Sequence, residues 1–286
     1  MVKGQRPRPN VPDDGRTGPL RWNIAKRTFV LISDFCSSTS ALMTVAALYD
    51  IHGNLPALEA VLEDIARTGA DRVVVGGDVV PGPMPRETLV RLLELDLPFQ
   101  FILGNGELAV LAEMNGRDSG LPARYRHSIR WNAAQLHPSE GELLAAWPTT
   151  LSMNISGIGK VLFCHATPQN PNDVFTRLTP DDKLVSIIGE TDADVLVCGH
   201  THMQFNRTIG DLRVVNAGSV GMPFGDPSAY WLLLGPDVEF HRTEYDLKMA
   251  AARIRQTHYP EAQEFAANHV LHPPSEEKML AVFNAV

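Results

Sequence analysis

The chain has only three cysteines in 286 residues, Cys36, Cys164 and Cys198, and no two of them have the close spacing of a metal-binding or redox motif. An odd, scattered set excludes a disulfide framework and fits a reducing, cytoplasmic setting. Cys164 and Cys198 each close an apolar run, as small buried hydrophobes do. No apolar run approaches the ~18 residues that a membrane-spanning helix requires. The patch from Phe29 to Ile32 follows Lys26 and Arg27, but it is too short for an export signal and is interrupted by Asp34. A basic surplus is also missing. The net charge is −8, and no stretch interleaves basic with aromatic residues, which argues against broad nucleic-acid binding. No segment repeats. The remainder is ordinary globular material, 44% hydrophobic and 20% charged, long enough for one large domain or two small ones.

The charge is uneven. Residues 1–42 carry seven Lys or Arg against three acids, which leaves about −12 for the rest of the chain. Bound divalent cations would offset part of that. Residues 1–28 are rich in Pro, Gly, Arg and Asp and have no apolar period, so they are expected to be disordered. Met43 stands just before an apolar run beginning at Val45. Residues 1–42 are therefore expected to be a dispensable extension, with a single domain over 43–286.

From Val45 the chain alternates. Val45 to Tyr49 reads as a strand. Leu55 to Thr68 is an amphipathic helix capped by Asn54, with Leu58, Val61, Leu62 and Ile65 on one face. A strand over 71–76, a helix over 85–95 and a strand over 99–103 follow. This is the βαβ rhythm of a mostly parallel α/β sheet, and the continuous apolar strands fit a sheet covered on both faces. A polar helical insertion spans about 107–150. Strands return at 151–155, 160–164 and 195–198, with a helix over 179–190. Two hairpins follow, turning at Gly210–Asp211 and at Gly235–Asp237, and helices occupy about 246–286.

The chemistry sits just past the strands. Asp50 and His52 follow the first strand two residues apart, so strand alternation sends their side chains the same way. Asp78 follows Gly76–Gly77, Asn105 lies between Gly104 and Gly106, His165 follows Cys164, and His200 and His202 sit in Gly-His-Thr-His. The carboxyl edge of strands is where open α/β sheets bind ligands. The other six histidines (127, 137, 241, 258, 269 and 272) lie in polar, helical or late-hairpin surroundings and read as surface residues. The set Asp50, His52, Asp78, Asn105, His165, His200 and His202 supplies too many O and N donors for one ion. It suits two ions sharing a carboxylate. The intermediate softness favours Mn, Fe, Zn, Co or Ni over Mg or Ca.

The ordered series Asp-x-His, Gly-Asp, Gly-Asn, His, Gly-His-Thr-His resembles the calcineurin-like metallophosphoesterase superfamily, and most closely its small bacterial and archaeal phosphodiesterase branch. The resemblance runs from about Met43 to Asp246. It implies a four-layer α/β/β/α sandwich of two mixed sheets with helices on both outer faces. It also implies a division of ligands. Asp50, His52, Asp78 and His202 would hold one metal, and Asp78, Asn105, His165 and His200 the other, with Asp78 bridging. Manganese is the expected ion. Many relatives have a histidine after the Gly-Asn asparagine, which helps protonate the leaving group. Here that position is Gly106, so no residue is assigned as the acid. Glu107 reads as a residue favoured by the helix dipole. Ala217 stands where relatives often have Pro, in what reads as a tight turn near the site.

The expected reaction is hydrolysis of a P–O bond in a small phosphoester, by in-line attack of a water that two cations acidify. The rival readings are a nuclease of the same superfamily and a non-catalytic scaffold. The basic N-terminal stretch alone favours the first. The second usually shows as lost ligands, and none is lost here. Selectivity is expected from the loop Val80 to Pro85 and from the helical insertion around Arg124 to Trp131. Arg124, Arg126 and Arg130 read as a solvated helix face, with an anion contact as the alternative.

Overall fold

The computed structural model describes residues 43 to 285; the expected N-terminal extension and Cys36 lie outside the described residues. Its central strand, β1 (Val45–Leu48), is buried along its whole length. Its side chains alternate between two cores. Ala46 and Leu48 face the outer helices, while Val45 and Ala47 face a second sheet. Burial on both faces is why the run is apolar throughout.

After β1 come α1 (Leu55–Thr68), β2 (Arg72–Val75), α2 (Pro85–Leu93) and β3 (Phe99–Phe101). α1 has the predicted bounds. Asn54 Oδ1 accepts the Ala57 N–H at 3.3 Å, and Gly69, at φ +71°, ends the helix in the left-handed region. β1, β2 and β3 run parallel. The predicted insertion is helical and opens two residues early, with α3 (Asn105–Met114), then α4 (Arg126–Gln135) and α5 (Pro138–Ala145).

The second sheet contains β4 (Thr150–Ile155), β5 (Gly159–Cys164), β6 (Val195–Cys198), β7 (Phe205–Ile209) and β8 (Leu212–Asn216), in the order β4-β5-β6-β8-β7. Its inner strands are parallel and its edges antiparallel. The chain then returns to the first sheet through the hairpin of β9 (Ala229–Leu234) and β10 (Val238–Thr243), giving the order β10-β9-β1-β2-β3.

Val74, Phe163, Val197, Val215 and Leu232 fill the space between the sheets. On the far side of the second sheet, α6 (Asp181–Ile188) packs Leu184 and Ile188 on Cys164, Leu196 and Cys198. On the far side of the first, α1 is joined by α7 (Leu247–Arg255) and α8 (Ala262–Phe265), through Ile254 and Phe265. A π-helical turn (Ala266–Leu271) and α9 (Glu276–Phe283) complete the described chain. The architecture is the four-layer α/β/β/α sandwich expected from the motifs. Among the described residues no helix is long and apolar enough to cross a membrane.

Candidate metal centre

The seven donor residues all lie beyond the carboxyl ends of parallel strands, six of them on the loops after β1, β2, β5 and β6, and Asn105 at the start of α3 just past β3. β1 stops at Leu48, so Asp50 and His52 are not on the strand as alternation implied. They converge through left-handed backbone, with φ +53° and +47°. Asp78, His200 and His202 share that conformation, at +52°, +65° and +57°. Among the described residues these are the five non-glycine positions with positive φ. Such backbone is costly and persists only where the surroundings enforce it, characteristically at functional sites. Here the enforcement is visible. The N–H groups of Asp50, His52 and Gly53 donate to the carbonyls of Gly77, Asp78 and Val79 at 3.2, 2.8 and 2.9 Å, so the loops after β1 and β2 run zipped together.

Main-chain carbonyls fix the imidazoles. His52 Nδ1 donates to Pro81 O (3.2 Å), His165 Nδ1 to Gly76 O (3.0 Å) and His202 Nδ1 to Met222 O (2.7 Å). With Nδ1 donating, each Nε2 keeps its lone pair for the interior, the usual preparation of a metal-ligating histidine. His202 is further held by Phe224, whose ring stacks on it at 5.3 Å.

The inward atoms form two adjoining groups. On one side His52 Nε2 and His202 Nε2 are 3.3 Å apart, and Asp50 Oδ1 lies 3.9 and 3.4 Å from them. On the other, His165 Nε2 is 2.8 Å from Asn105 Oδ1, 3.6 Å from Asp78 Oδ1 and 3.9 Å from Asp50 Oδ1. Asp78 turns Oδ2 toward the first group, 3.7 Å from His52 Nε2, so its two oxygens serve the two sides. Within each of the triads Asp50–His52–His202 and Asp50–Asp78–His165, donor atoms lie within 4.8 Å of one another. His200 stands at the margin, outside both triads, with its ring 5.1 Å from that of His165.

The residues fit divalent cations. Asp50 Oδ1 is buried and has no hydrogen-bond partner, although its other oxygen accepts the His200 N–H at 2.8 Å. A buried carboxylate oxygen left bare is expensive, and a cation between the two imidazole groups would satisfy it. The electrostatics agree. Burial would raise the Asp50 carboxyl, but the imidazoles of His202, His165 and His52 pull it well below the carboxylate range. Burial pushes His52 and His200 down to about 3, helped by the neighbouring imidazoles. For His165 and His202, burial is outweighed by the carboxylates of Asp78 and Asp50, and both are raised. The negative centre that favours a proton there favours a metal ion equally. Burial drives the Cys164 and Cys198 thiols up, consistent with inert core residues and no thiolate.

Several contributors were not visible in the sequence. Glu107, read as a residue favoured by the helix dipole, is fully buried and accepts three backbone N–H groups, including that of Asp78. Ser219 Oγ donates to the Asp50 carbonyl at 2.7 Å, which gives the turn around Ala217 a supporting role. His269, expected at the surface, has a sealed Nδ1 without a partner. Arg126 and Arg130 pair with Asp118 and Glu113, and Arg124 lies over the Tyr125 ring, which agrees with the solvated-face reading.

Residues 43–235 match the family model described as the calcineurin-like phosphoesterase superfamily domain. An uncharacterised protein of Methanocaldococcus jannaschii is 31% identical over 242 residues, which span 76% of this chain and 94% of that protein. The phosphodiesterase YfcE of Escherichia coli is 28% identical over 195 residues, covering 67% of this chain and 88% of its own. The crystal structure of a metallophosphoesterase from Sphaerobacter thermophilus is similar with a TM-score of 0.60 at 28% identity, over 79% of this chain and 99% of that one.

Proposed function

Because the chain belongs to the calcineurin-like phosphoesterase superfamily, and is thereby a metal-dependent phosphoesterase, we propose that it is a phosphodiesterase using two divalent cations, manganese being the expected pair. Asp50, His52, Asp78 and His202 would hold one ion, and Asp78, Asn105, His165 and His200 the other. The single observation that carries this reading is the bare, buried Oδ1 of Asp50, within 4 Å of His52, His165 and His202. When bound, the two cations would acidify a water to near neutrality and neutralise the phosphoryl oxygens during in-line displacement.

The protein's own part is to hold lone pairs in place. The carbonyls of Pro81, Gly76 and Met222 keep each Nδ1 protonated, so these imidazoles act as ligands and not as bases. Asp78 divides its oxygens between the two sides, the disposition a bridging carboxylate needs. Gly106 leaves the leaving group without a histidine donor at that position, which favours substrates whose leaving oxygen departs without strong protonation. The similarity to YfcE, a phosphodiesterase, favours a diester. All seven donors are present, which speaks against a scaffold role. We place the enzyme in the cytoplasm, as the sparse cysteines suggest.

The test is turnover with added manganese on an aryl phosphodiester, the matching monoester, and single- and double-stranded nucleic acid. Faster cleavage of the small diester supports the proposal. Cleavage confined to nucleic acid and weakening with salt would replace it with the nuclease reading.

A further inference from the structure

Glu107 lies beneath the centre without being one of its donors. Its Oε2 accepts the N–H of Asp78 at 2.8 Å and of Gly104 at 2.9 Å, and its Oε1 accepts the N–H of Val80 at 3.1 Å. These amides belong to the loop that carries Asp78 and to the turn that carries Asn105. In the reverse direction, the Gly106 N–H donates to Asp78 Oδ1 at 2.7 Å. Asp78 is thus held twice by the segment 104–107, main chain by the Glu107 carboxylate and side chain by the Gly106 amide. The fit leaves no slack, because a Cβ on Gly104 would stand 2.2 Å from Asp78 Oδ1.

A helix-capping role explains only one of these bonds. A glutamate at the third position of a helix commonly returns to the N–H of the capping residue, here Gly104. The bonds to Asp78 and Val80 cross 29 and 27 residues and serve no helix. Placing a second carboxylate, fully buried, beside Asp78 also carries a desolvation cost. A neutral residue would cap α3 without that cost.

Resting on the two-ion reading above, we propose that Glu107 is the positioning residue of the second metal position, clamping the Asp78 loop to the Asn105 turn. With the clamp in place, Asp78 Oδ1 and Asn105 Oδ1 meet His165 Nε2 at the separations seen. Without it, the loop after β2 and the amino end of α3 move independently, and the three donors lose their common point. Asp50, His52 and His202 receive none of the three bonds to Glu107, so the first position should be affected less.

Three variants test this. Glu107→Gln keeps one carbonyl oxygen and sets an amide N–H₂ against backbone donors; Glu107→Asp keeps the charge one methylene short; Glu107→Ala removes all three bonds. The measurements are manganese stoichiometry and affinity by calorimetry, the manganese EPR spectrum, and hydrogen exchange of the metal-free proteins at Asp78, Val80 and Gly104. Wild type should take two ions with a spin-coupled spectrum. Glu107→Gln should keep one tight ion, bind the second about 10- to 100-fold more weakly, and show an isolated-manganese spectrum. Its three amides should exchange faster while α1 stays protected, and kcat should fall more than KM changes. Glu107→Asp should recover part of the second affinity. If Glu107→Ala fails to fold, the other two variants decide. Wild-type affinity for both ions in Glu107→Gln, or unchanged protection of the three amides, overturns the role given to Glu107. A wild-type protein that binds no second ion overturns instead the two-ion reading on which it rests.

Discussion

Asp50 and His200 are joined across 150 residues of sequence by a 2.8 Å hydrogen bond from the His200 N–H to Asp50 Oδ2. One is on the loop after β1 of the first sheet and the other on the loop after β6 of the second. A single carboxylate therefore fastens the two halves of the centre with one oxygen and leaves the other bare for a cation.

This separates the two oxygens experimentally. Asp50→Asn can still accept the His200 N–H through its amide oxygen, but it removes the negative charge. We expect the variant to fold with a melting temperature close to that of metal-free wild type. Turnover should fall by more than about 100-fold, beyond the range typical of residues that only support ligands. Thermal denaturation with and without chelator, alongside steady-state kinetics, measures both. Equal melting temperatures together with retained turnover would refute the assignment.

Gly199 probes the same junction from the other side. A Cβ there would stand 2.4 Å from Asp50 Oδ2 and 2.6 Å from the Tyr49 ring. Tyr49 is fully buried and its hydroxyl donates to Val197 O at 3.0 Å, so it has little room to yield. Gly199→Ala should cost about 1–3 kcal/mol, as overpacked sites do. It should also weaken metal binding, because Asp50 must move. Urea denaturation checks the first, and an unchanged midpoint would contradict it.

The acid side of the stability profile should carry the signature of His269. Burial, with a contribution from His202, drives this imidazole down to about 4, so the folded protein keeps it neutral. The unfolded chain takes a proton near the ordinary value of about 6.5. Between those values the unfolded state binds more protons, so the contribution is intact above about pH 6.5 and is lost as the pH falls toward 4. For one proton the slope reaches ~1.4 kcal/mol per pH unit. His52 and His200 act in the same direction and His165 and His202 in the opposite one, so the comparison must be between variants. Metal-free His269→Leu should gain on metal-free wild type as the pH drops through this window. A difference independent of pH would show that His269 does not titrate this way.

The catalytic unit is proposed to begin at Met43. The family match starts at residue 43, and Thr44 anchors the entry to β1 by donating from its N–H to Asp71 at 2.8 Å. A chain starting at Met43 should fold and hydrolyse a phosphodiester with wild-type kcat/KM. Loss of either, read by circular dichroism and kinetics, would assign residues 1–42 to the working enzyme.

The sequence carried the framework because its signals were local. Each donor follows an apolar strand, and Leu58, Val61, Leu62 and Ile65 mark one face of α1 with its asparagine cap in place. What it did not carry depends on distant partners. Nothing local in Asp-Ile-His says that both residues leave the strand and turn left-handed, because carbonyls of the next loop, at Gly77 and Asp78, hold them there. Glu107 shows a helix-opening spacing, yet the Asp78 and Val80 amides that define its role lie 29 and 27 residues away. His269 sits in a π-helical turn with its ring 5.2 Å from that of Phe265, and polar neighbours in the sequence do not show that its Nδ1 is sealed in.

The most direct test of the account is the metal content of wild type and Asp78→Asn, measured with turnover on an aryl phosphodiester in the same preparations. The account predicts two divalent ions per wild-type chain, loss of at least one in Asp78→Asn, and loss of turnover in step with it. A wild-type protein that binds no divalent ion, or an Asp78→Asn variant with unchanged metal content and turnover, would contradict it.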